Sequence, residues 1–476
     1  MGHRNYSGLR PQSRYLTERY VVMTNKGYKH NGEYPDCQFV WNDEKWLSRR
    51  RNTAGATGDR GSYLCSPLNI YEVHLGTFKP KKGGQRFDDR TEAADELITY
   101  VKQLGYTHIL LLDAVKFSEH DGFVTVNSSD SFRYFANKLH LNGIGIFVRL
   151  DFPKLAVTEI DGTVSDILRM IRDFHIDGIS VGADIRVDNA VGDLCSSINY
   201  AIKEEFPDVI TVYEDEENTG CRGMEFDLTF DTKWANDGFS YINEDPFFRK
   251  HHHNKITVHQ KNAAKCRHIL PISRNAVSNG KKSLLDKNFG DYYMKFAGFR
   301  TFLAYMMTCP GKKLMFMGCE FAPFKEWSYN DCLEWFMTDF DMHRRSLLYT
   351  AELNRFYLGE PALWERDFSD SGFEFIYEDL DELNIIAFKR FDKNGNLIVV
   401  LINFAPVTRE CFTVCGLPGE CYKEVFSSDD SRYGGSGQKN TGILRGVKQS
   451  DGSFDLSVTL PGLGACILKP AGDINI

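Results

Sequence analysis

From Leu68 onward, the chain alternates short apolar runs with longer amphipathic segments. Gly105, Gly143 and Gly178 stand where a left-handed residue commonly ends a helix. Strands that alternate with helices favour a parallel sheet, and eight such units fit a closed (β/α)8 barrel. The eight strand candidates are NIYEVHLG, HILLLDAV, IGIFVRLD, ISVG, VITVYED, MEFDLTF, HILPIS and KKLMFMG.

The pattern changes after about residue 360, where short strands of alternating hydrophobicity follow one another with turns such as KNGN and SDGS between them. The strands are FEFIYED, NIIAFKRFD, NLIVVLINFA, ECFTVCG, CYKEVFSS, FDLSVTL and ACILKPA. This pattern is typical of an all-β sandwich. The sequence therefore predicts an α/β fold in which a TIM barrel, 68–358, precedes a C-terminal β-sandwich domain, 359–476. Residues 1–67 are polar and turn-rich, and we expect an N-terminal extension or linker that packs on the barrel.

The overall charge and the motifs exclude several classes of protein. A formal net charge of −8 argues against partners such as nucleic acid or an anionic membrane. We find no apolar run long enough to cross a bilayer and no N-terminal signal peptide, so we expect a cytoplasmic protein. The nucleotide-binding motifs GxGxxG and GxxxxGK[ST] do not occur, and we expect no cofactor.

Three clusters of basic residues are interpreted as structural or solvated. The three histidines at 251–253 look like a metal site, but consecutive residues do not share a helix face, so we expect no metal there. The three arginines at 49–51 and the two lysines at 81–82 are interpreted as solvent-exposed charge.

Long segments over roughly residues 36–470 carry a more specific signal. They include SPLNIYEVHLGTF, AADELITYVKQLGYTHI, EFDLTFDTKW, EDPFFRKHHHN, PGKKLMFMGCEFAPFKEW and ELNRFYLGEPALWERDF. In this order they resemble bacterial glycogen (1,4-α-glucan) branching enzymes of glycoside hydrolase family 13. The resemblance implies cleavage of an α-1,4 glucan and transfer of the released chain to a 6-hydroxyl. Such retaining chemistry needs a carboxylate nucleophile and a carboxylic acid about 5–5.5 Å apart at the barrel mouth.

The fourth and fifth strands are where the resemblance places the central catalytic groups. After the fourth strand, Ser180 stands at the family's arginine position and Gly182 at that of the nucleophilic aspartate. Glycine has no side chain and cannot form a glycosyl-enzyme. After the fifth strand, Glu214 stands at the position of the acid/base, and it is the one group that this chain retains.

The third and seventh strands also depart from the family pattern. Arg274 and Asn275 replace the family's His-Asp pair after the seventh strand. At the third strand, an ungapped alignment gives Arg149 and Lys154 where the family has aspartate and histidine, and a gapped alignment gives Asp151 at the histidine. Neither alignment restores the pair.

Two further differences concern the loops and a second candidate nucleophile. The loops after the second, third and fourth strands are shorter than the resemblance implies, so we expect a low and incomplete cleft wall. The stretch RVDN contains Asp188, which could replace the nucleophile if ISVGAD were an insertion, and Asp184 is a second option. A shift of six residues would carry Asp188 roughly 20 Å past the barrel rim, which favours the ungapped reading.

Trp327 lies in a segment that lines the cleft in the family, so it could contact a glucan, although packing beneath the eighth strand is the alternative for Trp327 and for Trp335. Because a lone carboxylate at a strand end is unfavourable, we expect Arg149 or Arg274 to pair with Glu214, Asp151 or Asp215.

The sequence thus favours a non-catalytic protein of glycogen or starch metabolism that binds α-glucan, or regulates an active enzyme beside which it acts. The alternative is an active branching enzyme or related transglycosylase with relocated catalytic residues.

Overall fold

A computed structural model describes residues 39–55, 62–79, 90–118, 122–125, 129–151, 160–182, 189–214, 226–261 and 266–471. Eight parallel strands close into a barrel in which each strand pairs with its neighbours in the chain and the eighth pairs with the first. In chain order they are Asn69–His74, His108–Leu112, Gly145–Asp151, Gly178–Gly182, Ile210–Tyr213, Leu228–Phe230, His268–Ile272 and Lys312–Phe316. The predicted barrel and its eight strands are confirmed.

The helices that surround the barrel have apolar faces turned towards it. In Ile160–Phe174, for example, the buried residues Thr163, Ile167, Met170 and Ile171 recur at helical spacing. Among the helices of the described ranges, none is long and apolar enough to cross a membrane. The helices of ten or more residues are Glu44–Gly55, Arg90–Leu104, Ser129–Leu141, Ile160–Phe174, Asn189–Glu205, Thr232–Asn243, Tyr292–Thr308 and Asp341–Gly359.

Two of the three predicted helix-ending glycines are confirmed and the third is wrong. Gly105 and Gly143 have φ values of 76° and 77°, as the left-handed end of a helix requires. After the helix Ile160–Phe174, the left-handed residue is His175, with φ 51°. Gly178 instead begins the fourth strand, where a Cβ would lie 2.6 Å from the ring of Phe147. Glycine is needed there because two elements approach closely.

Residues after 372 form antiparallel sheets, as predicted. The larger sheet has the order Phe373–Leu380, Ile385–Phe391, Leu397–Asn403, Gly464–Pro470, Cys421–Ser427 and Leu444–Arg445, and the smaller has Arg409–Leu417, Phe454–Leu460 and Val447–Lys448. Val399, Leu401, Val414 and Leu456 lie in the core between the two sheets. This confirms the all-β C-terminal region.

The larger sheet also packs against the barrel with its second face. All seven residues of Leu397–Asn403 are buried. Val399 and Leu401 belong to the core between the sheets, whereas Val400 and Ile402 belong to the core that includes the barrel and its helices. The sheet is therefore buried on both faces, and Trp41–Ile476 form one compact unit. The domain boundaries after residues 67 and 358 stay predictions.

The helix Glu44–Gly55 is attached to the barrel at the amino end of the fourth strand. Asp177 accepts hydrogen bonds from the Trp46 indole at 2.8 Å and from Arg50 at 2.7 Å. Arg50 also pairs with Asp208 at 2.8 Å, and its side chain is only 17% exposed. The interpretation of Arg50 as solvated charge is therefore wrong. The local sequence pattern could not show this, because the partners of Arg50 lie far away in the sequence.

A buried histidine completes this attachment. The two ring nitrogens of His140 lie 2.7 Å from Asp43 and 2.8 Å from Asp177. Burial alone would lower the pKa of His140, but the carboxylates of Asp177 and Asp43 outweigh it and raise this pKa to about 9. At neutral pH, His140 is therefore a cation between two carboxylates, and the three charges hold one another in place.

Candidate site at the barrel mouth

The carboxyl ends of the barrel strands surround a cavity of about 80 Å³. Its lining includes Glu72 from the first strand, Arg149 from the third, Glu214 from the fifth, and Arg274 and Asn275 from the seventh. The carboxyl ends of the strands are where TIM-barrel proteins carry their chemistry. The structure thus brings together the side chains that sequence comparison singled out on three separate strands.

Glu214 is buried and both of its carboxylate oxygens have partners. Arg149 donates from Nε to one oxygen at 2.9 Å, and the Ser180 hydroxyl donates to the other at 2.7 Å. Glu214 is 4% exposed, so the ion pair is largely shielded from water. The predicted pairing of an arginine with Glu214 is confirmed.

Arg149 also occupies the space beside Gly182. A Cβ added at Gly182 would lie 2.6 Å from Nη2 of Arg149 and 3.2 Å from its Cζ. The third and fourth strands are paired so that Arg149 lies opposite Ser180, and Asp151 lies opposite Gly182. A side chain at position 182 would therefore require the guanidinium of Arg149 to move away from Glu214.

The charges around Arg149 keep its guanidinium firmly protonated. Burial would lower its pKa, but Glu214, Asp151 and Glu72 together raise the pKa of Arg149 above its ordinary value. Its contact with Asp151, at 3.2 Å, is the more exposed of the two ion pairs. The mouth therefore contains a firmly protonated guanidinium beside Gly182 and Glu214.

Glu72 is a member of the site that the sequence analysis missed. It is 3% exposed, and its carboxylate accepts a hydrogen bond at 2.7 Å from the backbone N–H of Arg274. Burial and the nearby charge of Glu214 raise the pKa of Glu72 to about 7. A glutamate in the middle of the apolar run NIYEVH was a signal that could have identified it, because buried carboxylates need partners.

Arg274 takes a different position from Arg149. Its guanidinium lies over the ring of Tyr329, with 5.5 Å to the ring centroid, and also bonds to the Tyr329 hydroxyl. It donates to the side-chain oxygen of Asn275 at 3.3 Å. Of the two candidates for neutralising Glu214, only Arg149 has an ion pair with it among the described residues.

Trp327 is a packed side chain and does not line the mouth cavity. It is 8% exposed, and its indole donates to the hydroxyl of Thr77 at 3.0 Å. Its ring packs edge-on against Phe316. Its neighbour Tyr329 is 43% exposed, with 4.3 Å between the ring centroids. The accessible aromatic surface here thus belongs mainly to Tyr329, and a glucan contact by Trp327 stays a prediction.

The side chains of the histidines at 251–253 do not converge on one point. His252 pairs with Glu244 at 2.8 Å, whereas His253 is buried, with its Nδ1 3.5 Å from the Tyr241 hydroxyl. In the part of the chain that the structure describes, no group of three or more His, Cys, Asp or Glu residues is placed to hold a metal ion.

Several predictions fall on residues outside the described ranges. They concern Lys154, Asp184, Asp188, Asp215, the lysines at 81–82 and much of the loops after the second, third and fourth strands. Part of the second loop is described: Val115–Ser118 and Gly122–Thr125 pair as two short antiparallel strands. The sequence pattern did not predict these two strands.

Comparisons with known proteins agree with this architecture. A family described as the alpha amylase C-terminal all-beta domain matches residues 377–471. The 1,4-alpha-glucan branching enzyme GlgB of Halothermothrix orenii is 34% identical, covering 85% of this chain and 76% of that protein. The 1,4-alpha-glucan branching enzyme GlgB of Nitrosomonas europaea is 32% identical, covering 91% of this chain and 68% of that protein.

Solved structures show the same fold at lower identity. An Anoxybacillus alpha-amylase superposes with a TM-score of 0.61 at 16% identity, covering 87% of this chain and 99% of that one. The GBS pullulanase SAP, in complex with maltotetraose, superposes with a TM-score of 0.61 at 14% identity, covering 86% of this chain and 71% of that one.

Proposed function

Since the chain belongs to the family of the 1,4-alpha-glucan branching enzymes GlgB, we propose that it is a non-catalytic member that serves glycogen metabolism. Its role is to bind α-glucan or to regulate an active enzyme of this metabolism, and we place it in the cytoplasm. The observation that carries the proposal is the position of Arg149, which fills the space beside Gly182 and pairs with Glu214.

The chemical reason is the charge that each catalytic group must have. A retaining transfer needs one carboxylate to attack the sugar and a second carboxyl group to donate a proton. Gly182 supplies neither group, and the guanidinium of Arg149 fills the space beside it. The same guanidinium donates a hydrogen bond to one carboxylate oxygen of Glu214, and Ser180 donates to the other, so both oxygens are already engaged within the protein.

One observation favours the alternative of a transglycosylase with relocated catalytic groups. With its pKa raised to about 7, Glu72 holds a proton for part of the time at neutral pH, as a general acid must. Glu214 would then have to act as the nucleophile. Both oxygens of Glu214 are hydrogen-bonded, which weighs against this role. Asp184 and Asp188 lie outside the described residues and remain candidates of the same alternative.

We expect the purified protein to neither branch nor hydrolyse amylose, because the described residues of the mouth include Gly182 at the position of the family's nucleophile and a Glu214 that is already paired with Arg149. The measurements are the shift of the iodine complex and the release of reducing ends, with the Halothermothrix orenii relative as a positive control. Glu214→Gln serves as the matched negative control. Activity that survives repurification and disappears in Glu214→Gln would overturn the proposal, and its loss in Glu72→Gln would then identify the acid.

A further inference from the structure

A groove separate from the barrel mouth lies between the helix Asp341–Gly359 and the C-terminal sheet. Its volume is about 630 Å³, which is within the range of roughly 300–1,000 Å³ that small-molecule sites occupy. The helix contributes one wall, and the strand Cys421–Ser427 and residues 439–442 contribute the other. None of the residues that line it also lines the mouth cavity.

Aromatic side chains form one continuous part of the groove lining. The rings of Phe356 and Phe426 are 5.3 Å apart, and Phe426 is stacked on Tyr433 at 6.0 Å with an interplanar angle of 22°. Phe356 and Phe426 are half-buried, whereas Tyr433 is buried beneath them. Two ring surfaces are therefore held in place by packing while part of each stays accessible.

The charged groups of the groove neutralise one another. Arg432 pairs with Glu352 and Asp430, at 3.2 Å each, and Lys439 also pairs with Asp430. In total, four cationic and three carboxylate side chains line the groove, so its formal charge is close to zero. An anionic ligand would have to compete with these ion pairs, whereas a neutral ligand rich in hydroxyl groups could hydrogen-bond to them without breaking them.

We propose that this groove binds a segment of α-1,4 glucan, with the apolar face of a glucose ring stacked on Phe356 and Phe426. The hydroxyl groups would face the ion-paired side chains of the walls, such as Glu352 and Arg432. Aromatic surface combined with a small number of oriented polar groups is what carbohydrate recognition requires. This inference rests on the proposed function, in that it locates the glucan contact of a non-catalytic protein away from the barrel mouth.

The test compares the intact chain with single variants by calorimetric titration with maltoheptaose and by native electrophoresis in glycogen-containing gels. In Phe356→Leu, which keeps an apolar side chain but loses the aromatic face, we expect affinity to fall at least tenfold. Phe356→Tyr should keep it. Phe247→Leu, at an exposed phenylalanine on another surface, and Tyr329→Ala, at the mouth, should also keep it. Melting temperatures identify any variant that is misfolded, and Phe426→Leu, for which the same fall in affinity is expected, then tests the site.

The outcomes separate the groove from the wider proposal. If the unmodified protein neither binds maltoheptaose nor is retarded by glycogen, glucan binding itself is wrong and the regulatory role remains. If the unmodified protein binds and Phe356→Leu binds equally well, the groove assignment alone is wrong. Loss of binding in Tyr329→Ala, with Phe356→Leu unaffected, would overturn the groove assignment and place the glucan at the mouth.

Discussion

Replacing Arg149 by methionine is expected to lower the free energy of unfolding by about 3 kcal/mol, because it leaves the buried carboxylate of Glu214 without its cation. Glu72 adds to this loss of stability, because its negative charge and that of Glu214 repel each other. The measurement is denaturant or thermal unfolding of the purified variant at pH 8. The loss should be smaller at pH 5, because Glu72, whose pKa is raised to about 7, is protonated there and no longer repels Glu214.

Two controls make this prediction specific to the buried pair. Arg169→Met changes the same residue type on an outer helix, where Arg169 is 55% exposed, and should alter stability by about 0.5 kcal/mol or less. The double variant Arg149→Met/Glu214→Gln should be more stable than Arg149→Met alone, because the orphaned charge is removed. Equal stability of the unmodified protein and Arg149→Met would contradict the central position given to this ion pair.

Asp177→Ala is expected to lower the free energy of unfolding by about 3–5 kcal/mol. This carboxylate is 2% exposed and has four partners on three separate parts of the chain: Trp46 and Arg50 on one helix, His140, and the backbone N–H of Ile146. Its removal leaves buried donors unsatisfied and detaches the helix Glu44–Gly55 from the barrel. Chemical unfolding and proteolysis near residue 50 would measure the two effects.

The same cluster determines how stability depends on alkaline pH. Because the pKa of His140 is raised from 6.5 to about 9, its contribution is fully present below pH 6.5 and is lost as the pH rises through 9. Asp177→Ala should therefore flatten this part of the pH profile. As a control, Asp166→Ala affects an i,i+3 pair on an outer helix and should leave both stability and pH profile nearly unchanged. A similar loss of stability in Asp177→Ala and Asp166→Ala would show that the buried cluster around Asp177 has no special role.

The periodicity of apolar residues was sufficient to predict the barrel and the β-sheets, because strands and helices differ in their repeat. It was less informative for Leu397–Asn403, whose seven buried residues do not alternate with polar ones. The reason is that this strand is covered by the smaller sheet on one face and by the barrel side on the other. Local pattern also placed the helix end at Gly178, although the close approach of Phe147 explains that glycine.

The sequence could predict the candidate site only at positions where a residue of this chain can be compared with the family pattern. The absence of a side chain at Gly182 is visible in the sequence, but the guanidinium that fills the space comes from Arg149 on the neighbouring strand. Arg50 and its partners Asp177 and Asp208 are more than 120 residues apart, so only the folded chain shows their pairing. Glu72 was missed for a related reason, since its charge matters through contact with groups on other strands.

The central proposal, that this protein forms no glycosyl-enzyme, is tested most directly by covalent trapping. Retaining enzymes form a glycosyl-enzyme, which a fluorinated glycosyl fluoride can trap and which intact-mass spectrometry detects as an added sugar. We predict that the mass of this protein stays unchanged under conditions that label the Halothermothrix orenii relative. A stoichiometric increase by one glycosyl unit, mapped by peptide analysis to Asp184, Asp188, Glu214 or any other carboxylate, would contradict the claim and establish an active enzyme.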